Sequence, residues 1–549
     1  MLAKTFFGSV VSAIASGLYL MGSTASAAPL SKPTVARRDV NATNFPNIST
    51  GSVVLGSDNT YVNSSIYDSS LRPQLHFSPA TGFMNDPNGL VYANGKWHLF
   101  YQYNPAELAA GNQHWGHATL SNGTTILMFS GSAVVDRNNT SGFFNNTSNA
   151  EENIVLMFTE HTDYVEQQSL AYTTDGGKTF TKYSGNPVID IGSTQFRDPK
   201  VFWHPETEKW IMVAAHSQDY QIGIFGSKDL KSWDELSRVT RVGYLGYQYE
   251  CPGLAQVPVE GSDEKRWVLT YSINPGSPLG GSIMEYFVGD FNGTHFVADD
   301  AATRFVDTGK DFYAGQMFDN TGDEVIGITW ASNWEYTNDV PADHFRSAMT
   351  VPRRYKLRSV PVNPMFNDTL LVQEFVNTSA VHDKELFNSP INYSSSMNGA
   401  PIAVPTAGAF EFTAEVFVNT TTGLKSNDWA VIDFYSNDTF KSEKLSLGFR
   451  PNDGMLYVRR ADAQKSWYNP LFTGSSNSFI SIPSANSTTK FHGIVDRGVF
   501  ELLINDGQQS ITNTYFLEKG NVIGSVVFST AHENITFTSA SVDSFKSIW

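Results

Sequence analysis

Between about Leu75 and Lys356 one pattern keeps returning: a short apolar and aromatic run, then a cluster of Gly, Asn, Pro or Asp. Lys96–Tyr103, Lys209–Ala215 and Arg266–Tyr271 are such runs. They are too short for helices, rich in residues that suit a pleated surface, and bounded by turn residues, so they are strands. Two of the intervening turns, Thr173–Phe180 and Ser227–Trp233, share a central Asp followed by an aromatic. Similar strand groups repeated at intervals bury their faces most simply against one another around an axis, as the four-stranded blades of a β-propeller do. The repeat is too weak to count the blades.

At 549 residues the chain exceeds what one core holds, since domains run to roughly 100–200 residues each. From about Val360 to Ala400 the aromatic rhythm gives way to Asn, Ser and Pro, as in a linker. Beyond it Ala409–Val418 alternates apolar and polar residues, and Ala430–Tyr435, Phe500–Ile504 and Gly524–Ser529 are further strand candidates. The expected organisation is all-β: a propeller over 71–360, a linker over 361–400 and a β-sandwich over 401–549. Aromatic content of 13% with 43 Gly and 24 Pro fits strands and turns.

The first 28 residues read as a signal peptide: Lys4, an apolar stretch from Phe6 to Met21, then small residues to Ala28. Arg37-Arg38 offers a second trimming site, which would leave an extension over 39–70 ahead of the propeller. Secretion into the extracellular or cell-wall and periplasmic space follows. Asn-X-Ser/Thr sequons are dense, at Asn41, Asn47, Asn63, Asn122, Asn292, Asn367, Asn377, Asn392, Asn419, Asn437, Asn486 and Asn534, with pairs at Asn138/Asn139 and Asn145/Asn146, so N-linked glycans are expected. A net charge of −17 argues against nucleic acid or an anionic membrane as partner, and no later apolar stretch reaches membrane-spanning length. Cys251 is the single cysteine, so no intrachain disulfide forms and the cores carry stability; it reads as a small buried residue. Sandwich edges leave a homo-oligomer open.

Three acids sit beside special turn residues: Asp86 in Asn85-Asp86-Pro87-Asn88-Gly89, Asp198 in Arg197-Asp198-Pro199, and Glu250 in Glu250-Cys251-Pro252. Pro removes an amide donor and keeps the residue before it extended, which can hold a carboxylate at a strand end. For each acid alone an ordinary capped turn is as good an account; three on different blades could converge at the axis. Glycoside hydrolysis needs two carboxyl groups, one at the anomeric carbon and one to protonate the leaving oxygen. Asp86, among the amide donors of a turn, is expected to stay ionised and attack. Asp198 is expected to be held ionised by adjacent Arg197 and to stabilise charge. Glu250, beside apolar Tyr249 and Cys251, is the better proton donor.

These three motifs, in this order, resemble glycoside hydrolase family 32, the invertase, inulinase and levanase group, and the intervening sequence is most like its secreted yeast members. The resemblance runs from about Gln74 to the C-terminus. It implies a five-bladed propeller with an axial funnel, a C-terminal sandwich, and retaining cleavage of terminal β-fructofuranosides such as sucrose through a fructosyl-enzyme, with transfer to other sugars at high substrate. It also implies Asp86 as nucleophile, Asp198 as transition-state stabiliser, Glu250 as acid/base, and sugar binding by Asn85, Gln102, Trp115, Phe129, Ser130, Arg197, Asn274 and Trp334. For Trp115 and Trp334 blade packing is the competing reading. Glu335 departs from the Gln expected at its position, which bears on aglycone preference.

His76, His98, His114 and His117 lack helical ligand spacing and a partnering Cys, so structural or hydroxyl-bonding roles are expected, with no metal and no organic cofactor. A sialidase-like reading would need an arginine cluster and a Tyr nucleophile, and none is evident. An inactive fructan-binding lectin would be expected to lack one of the three acids.

Overall fold

Asn94 and Gly95 both take positive φ, 47° and 74°, and so form the two-residue turn that joins antiparallel strands Gly82–Ala93 and Lys96–Asn104. Such local choices build the sheets of the computed structural model, which describes residues 67–549 apart from 116–126, 146–148, 364, 406, 439–442, 466 and 481–484. The signal peptide, the trimming site, most of the 39–70 extension, the sequons at Asn41, Asn47, Asn63, Asn122 and Asn146, and His117 lie outside the described residues.

Among the described residues the first five sheets in chain order are blades. Their first strands are Gly82–Ala93, Leu127–Val135, Phe196–His204, Tyr249–Pro258 and Tyr313–Met317, each neighbouring the next, with the fifth returning to the first. A parallel pairing of Phe345–Arg346 with Gly82–Phe83 ties late chain to early chain in the first blade. The two Asp-centred turns are side-chain caps: Asp175 Oδ1 accepts from the amides of Lys178 and Thr179, and Asp229 Oδ1 from those of Lys231 and Ser232.

Each of the five inner strands breaks register near its start: between Met84 and Pro87, Phe129 and Gly131, Arg197 and Lys200, Glu250 and Gly253, and Tyr313 and Gln316. A bulge bends its strand and re-aims a side chain, and here five of them ring the axis. Asn85–Gly89 is therefore not a free β-turn. It lies within one strand, where Pro87 offers no amide to the ladder and Gly89 takes φ 55°.

Two six-stranded sheets follow, packed over a core that includes Phe410, Phe412, Phe434, Phe491, Phe500 and Phe528. Strands cover Ala430–Ser436, Val499–Ile504 and Ile523–Thr530, matching the three runs anticipated. The 361–400 segment differs from a bare linker: it carries the fourth strand of the last blade, Phe366–Phe375, and an edge strand of the sandwich, His382–Asn388. Polar residues fit there because Phe366–Asn367 and most of His382–Asn388 are exposed or half-buried, while Leu371–Gln373 and Phe375 are buried.

The opposite edge strand of the same sheet, Gln509–Thr514, is capped by the propeller, with Thr308 N–H donating to Ser510 O at 2.9 Å and Asp311 N–H to Thr512 O at 3.0 Å. Gly309 permits this approach, since a Cβ there would lie 2.1 Å from Thr512 O. Beside it runs a buried chain of charges. Arg353 pairs with Asp307 at 3.3 Å and with Glu501, while His76 bridges Glu501 and Asp496 at 2.8 Å each. His76 thus has a structural role.

Candidate active site

The bulges bring Asp86, Asp198 and Glu250 to one cavity of about 370 Å³. Asn85, Gln102, Phe129, Ser130, Arg197, Asn274 and Trp334 also line it. Trp115 does not. Its ring is 1% exposed, its indole N–H donates to Phe129 O at 2.8 Å, and it packs against Phe100 and Phe158. Trp115 pairs with Gln102 in register and so shares its face of the sheet, but it lies one strand farther from the axis, where its bulk fills the seam between the first two blades.

Asp86 Oδ2 accepts from Ser130 Oγ at 2.7 Å and Oδ1 from Asn85 Nδ2 at 3.1 Å. Its donors are thus side chains rather than turn amides. Burial pushes its carboxyl up to about 6, with the Ser130 hydrogen bond opposing and the charge of Glu250 adding.

Asp198 sits at φ 63°, and Thr159 Oγ1 accepts its N–H at 3.0 Å. Its Oδ2 accepts from Cys251 N–H at 2.9 Å. Burial raises its carboxyl to about 7; Arg197 lowers it, while Glu250 and Asp86 raise it further. Arg197 acts on Asp198 in the expected direction, toward the ionised form, but against a larger opposing effect of burial. Burial outweighs the cation, whose donors are aimed elsewhere.

Arg197 Nε and Nη2 reach Glu250 Oε1 at 3.1 and 3.0 Å, and Nη1 reaches Glu166 and Gln195. Glu250 Oε2 accepts from the Tyr313 hydroxyl. Its surroundings are therefore polar, not apolar: Tyr249 turns into the blade core and Cys251 to the opposite side. Cys251 is buried as anticipated, with Sγ 3.6 Å from both Asp86 Oδ2 and Asp198 Oδ2. Burial and the surrounding carboxylates push that thiol well up, so it stays protonated and inert as a nucleophile.

Gln113, Glu166, Gln195 and Gln248 line the cavity without having been singled out from sequence. The period of two could have found two of them: Gln195 and Gln248 lie two residues before Arg197 and Glu250, whereas Gln113 lies two before Trp115, which is outside the lining. Glu166 carried no such signal; it opens the strand Glu166–Tyr172 and is fixed by Arg197 and His161. Both amide atoms of buried Gln102 are without a protein partner, which leaves them free for a hydroxyl-rich ligand. Asn274 Oδ1 accepts from Ser282 Oγ at 3.1 Å, and Ser282 Oγ in turn accepts from Trp334 N–H at 3.1 Å. Glu335 is not in the lining; it pairs with Lys310 at 2.7 Å. Among the described residues no His, Cys, Asp or Glu group is arranged for a metal ion.

A carboxyl-rich funnel on a bladed all-β domain, backed by a sandwich, defines a glycoside hydrolase. The family models agree in both halves: the Glycosyl hydrolases family 32 N-terminal domain matches residues 76–367 and the Glycosyl hydrolases family 32 C terminal matches 377–544. The chain belongs to glycosyl hydrolases family 32. It is 48% identical over 520 residues to the invertase of Schizosaccharomyces pombe, covering 90% of this chain and 88% of that protein. It is 40% identical over 470 residues to an extracellular exo-inulinase of Meyerozyma guilliermondii, covering 82% and 90%. The structure of a fructofuranosidase from Schwanniomyces occidentalis complexed with fructose superposes with a TM-score of 0.79 at 38% identity, covering 88% of this chain and 99% of that one.

Proposed function

We propose that this protein is a retaining β-fructofuranosidase of the invertase type. Asp86 attacks the anomeric carbon of a terminal fructosyl group, and Glu250 donates a proton to the glycosidic oxygen as that bond breaks. Water then attacks the fructosyl-enzyme while Glu250 takes up its proton, which frees fructose and restores Asp86. Asp198 faces the charge that develops on the ring. Asn85, Gln102, Ser130, Arg197 and Asn274 hold hydroxyls, and Phe129 and Trp334 supply apolar faces for sugar C–H groups. Trp115 acts from outside the funnel, through its indole hydrogen bond to Phe129 O.

The observation that carries this reading is the meeting of Asp86, Asp198 and Glu250 in one funnel, each aimed by a bulge. Asp86→Ala should abolish sucrose turnover; wild-type turnover in that variant rejects the mechanism. Transfer to a second sugar at high substrate follows from the covalent intermediate, because another hydroxyl can replace water. The similarity to an exo-inulinase makes longer fructans the competing substrate, and product profiles on sucrose, raffinose and inulin decide between them.

Secretion and N-glycosylation belong to the same proposal. Among the described residues no helix is long and apolar enough to cross a membrane. The fold sets three sequons side by side, with Asn486 N–H donating to Asn419 O and Asn419 N–H to Asn534 O at 3.2 and 3.0 Å. The propeller, extended through the strand Phe366–Phe375, holds the chemistry, and the sandwich, from the strand His382–Asn388 onward, supports it.

A further inference from the structure

Arg460 belongs to the sandwich, just beyond the strand Met455–Arg459, yet its guanidinium is 1% exposed and turned toward the propeller. Nη1 donates to Asp311 Oδ2 at 2.6 Å and to Thr514 O at 2.8 Å. Nη2 donates to the Tyr336 hydroxyl at 3.0 Å, and Nε to Thr473 O at 2.8 Å. The Tyr336 hydroxyl in turn donates a hydrogen bond to Asp311 Oδ1. Every donor of the fork that faces the propeller therefore closes on one Asp–Tyr pair, and the Phe472 ring stacks 3.6 Å beneath it.

The two propeller residues so joined lie on separate segments, and each is two residues from the funnel. Asp311 precedes Tyr313, whose hydroxyl meets Glu250. Tyr336 follows Trp334, which lines the cavity. Between them Asn333 stitches the same two segments: Nδ2 donates to Lys310 O at 2.7 Å, and Oδ1 accepts from Ser282 and Glu335 amides. The Lys310–Glu335 pair lies alongside, with Lys310 Nζ also reaching Leu471 O of the sandwich at 3.3 Å.

We infer that Arg460 is a positioning residue for the reaction: through the Asp311–Tyr336 pair, the sandwich sets the placement of Tyr313 against Glu250 and of Trp334 in the funnel. The inference rests on the assignment of the funnel as the fructoside site. A buried fork bonded at two points defines the separation of its partners, and a displacement of about 1 Å at a reacting group can cost about a hundredfold in rate. A lysine in its place keeps the charge but cannot hold Asp311 and Tyr336 together.

The test compares Arg460→Met, Arg460→Lys and Tyr336→Phe with wild type and with Asp86→Ala, all as full-length secreted protein below their melting temperatures. The kcat/KM on sucrose should fall about 10- to 100-fold in Arg460→Met and less in Arg460→Lys, through both kcat and KM. The loss should shrink on an aryl fructoside whose leaving group needs no proton, because Tyr313 acts on Glu250. Tyr336→Phe keeps the ring and loses only the bridging hydroxyl, so it reads the same effect if Arg460→Met fails to fold. Wild-type kcat, KM and leaving-group dependence in the folded variants, whatever their melting temperatures, overturn the inference. An inactive Asp86→Ala beside unimpaired Arg460 variants leaves the funnel assignment standing; an active Asp86→Ala fails that assignment instead.

Discussion

Arg197 reaches across to Glu250, with Nε and Nη2 at 3.1 and 3.0 Å from one carboxylate oxygen, and makes no hydrogen bond to its sequence neighbour Asp198. The bulge at Arg197–Lys200 and the left-handed φ of Asp198 bring both side chains into the funnel while aiming them at different partners. Arg197 is thus the residue that orients the proposed acid/base.

Arg197→Lys should therefore be far from conservative. A lysine supplies a point charge where the fork now fixes Glu250, Glu166 and Gln195 together. The expected loss in kcat/KM on sucrose is about a hundredfold. Turnover within a factor of about three of wild type shows that charge alone suffices.

Ser130→Ala removes the hydroxyl that donates to Asp86 at 2.7 Å. Hydrogen bonds to charged groups contribute about 1.5–3 kcal/mol, so kcat should fall roughly 10- to 100-fold. The fructose released should keep its anomeric configuration, which NMR of early products reports; inversion there rules out Asp86 as nucleophile.

The two tryptophans should separate cleanly. Trp115→Phe leaves Phe129 O without its indole donor and opens space between blades, lowering stability by about 1–3 kcal/mol with little change in KM. Trp334→Ala should raise KM for sucrose several-fold and leave the melting temperature less affected. A large KM effect at Trp115 with unchanged melting reverses this assignment.

Stability should fall at alkaline pH through His76. Hydrogen bonds from the ring to Asp496 and Glu501 outweigh burial and raise it to about 9. Its contribution is present in full below its unfolded value near 6.5 and is lost as pH rises through about 9. His76→Gln should melt lower than wild type at pH 6, by about 2–3 kcal/mol, and the gap should close by pH 10. A gap independent of pH points to packing instead.

Asp198 carries the opposite lesson. Burial raises its carboxyl to about 7, so ionising it costs stability progressively as pH climbs from its unfolded value near 4. Asp198→Asn should melt higher than wild type at pH 8, with the gain fading toward pH 4, and should lose most activity. A stability gain as large at pH 4 as at pH 8 disproves the titration.

Strand rhythm, the two-part all-β plan and the three acids were legible in the sequence, because turn and strand preferences are properties of adjacent residues. Asn94-Gly95 specifies its hairpin in two positions, and the Pro one or two positions after each acid marks a place where pairing must break. The sequence also determined that no disulfide closes the chain, since Cys251 has no partner. Tertiary structure alone decided what each acid touches. Ser130 comes to Asp86 from the second blade, Cys251 to Asp198 from the fourth, and Tyr313 to Glu250 from the fifth. It likewise turned Trp115 into the core, made a bulged strand of an expected turn, and brought Arg460 of the sandwich onto Asp311 and Tyr336. Burial and hydrogen bonding depend on which blades and sheets become neighbours, and that is settled only when the ring of blades closes and the sandwich docks against it.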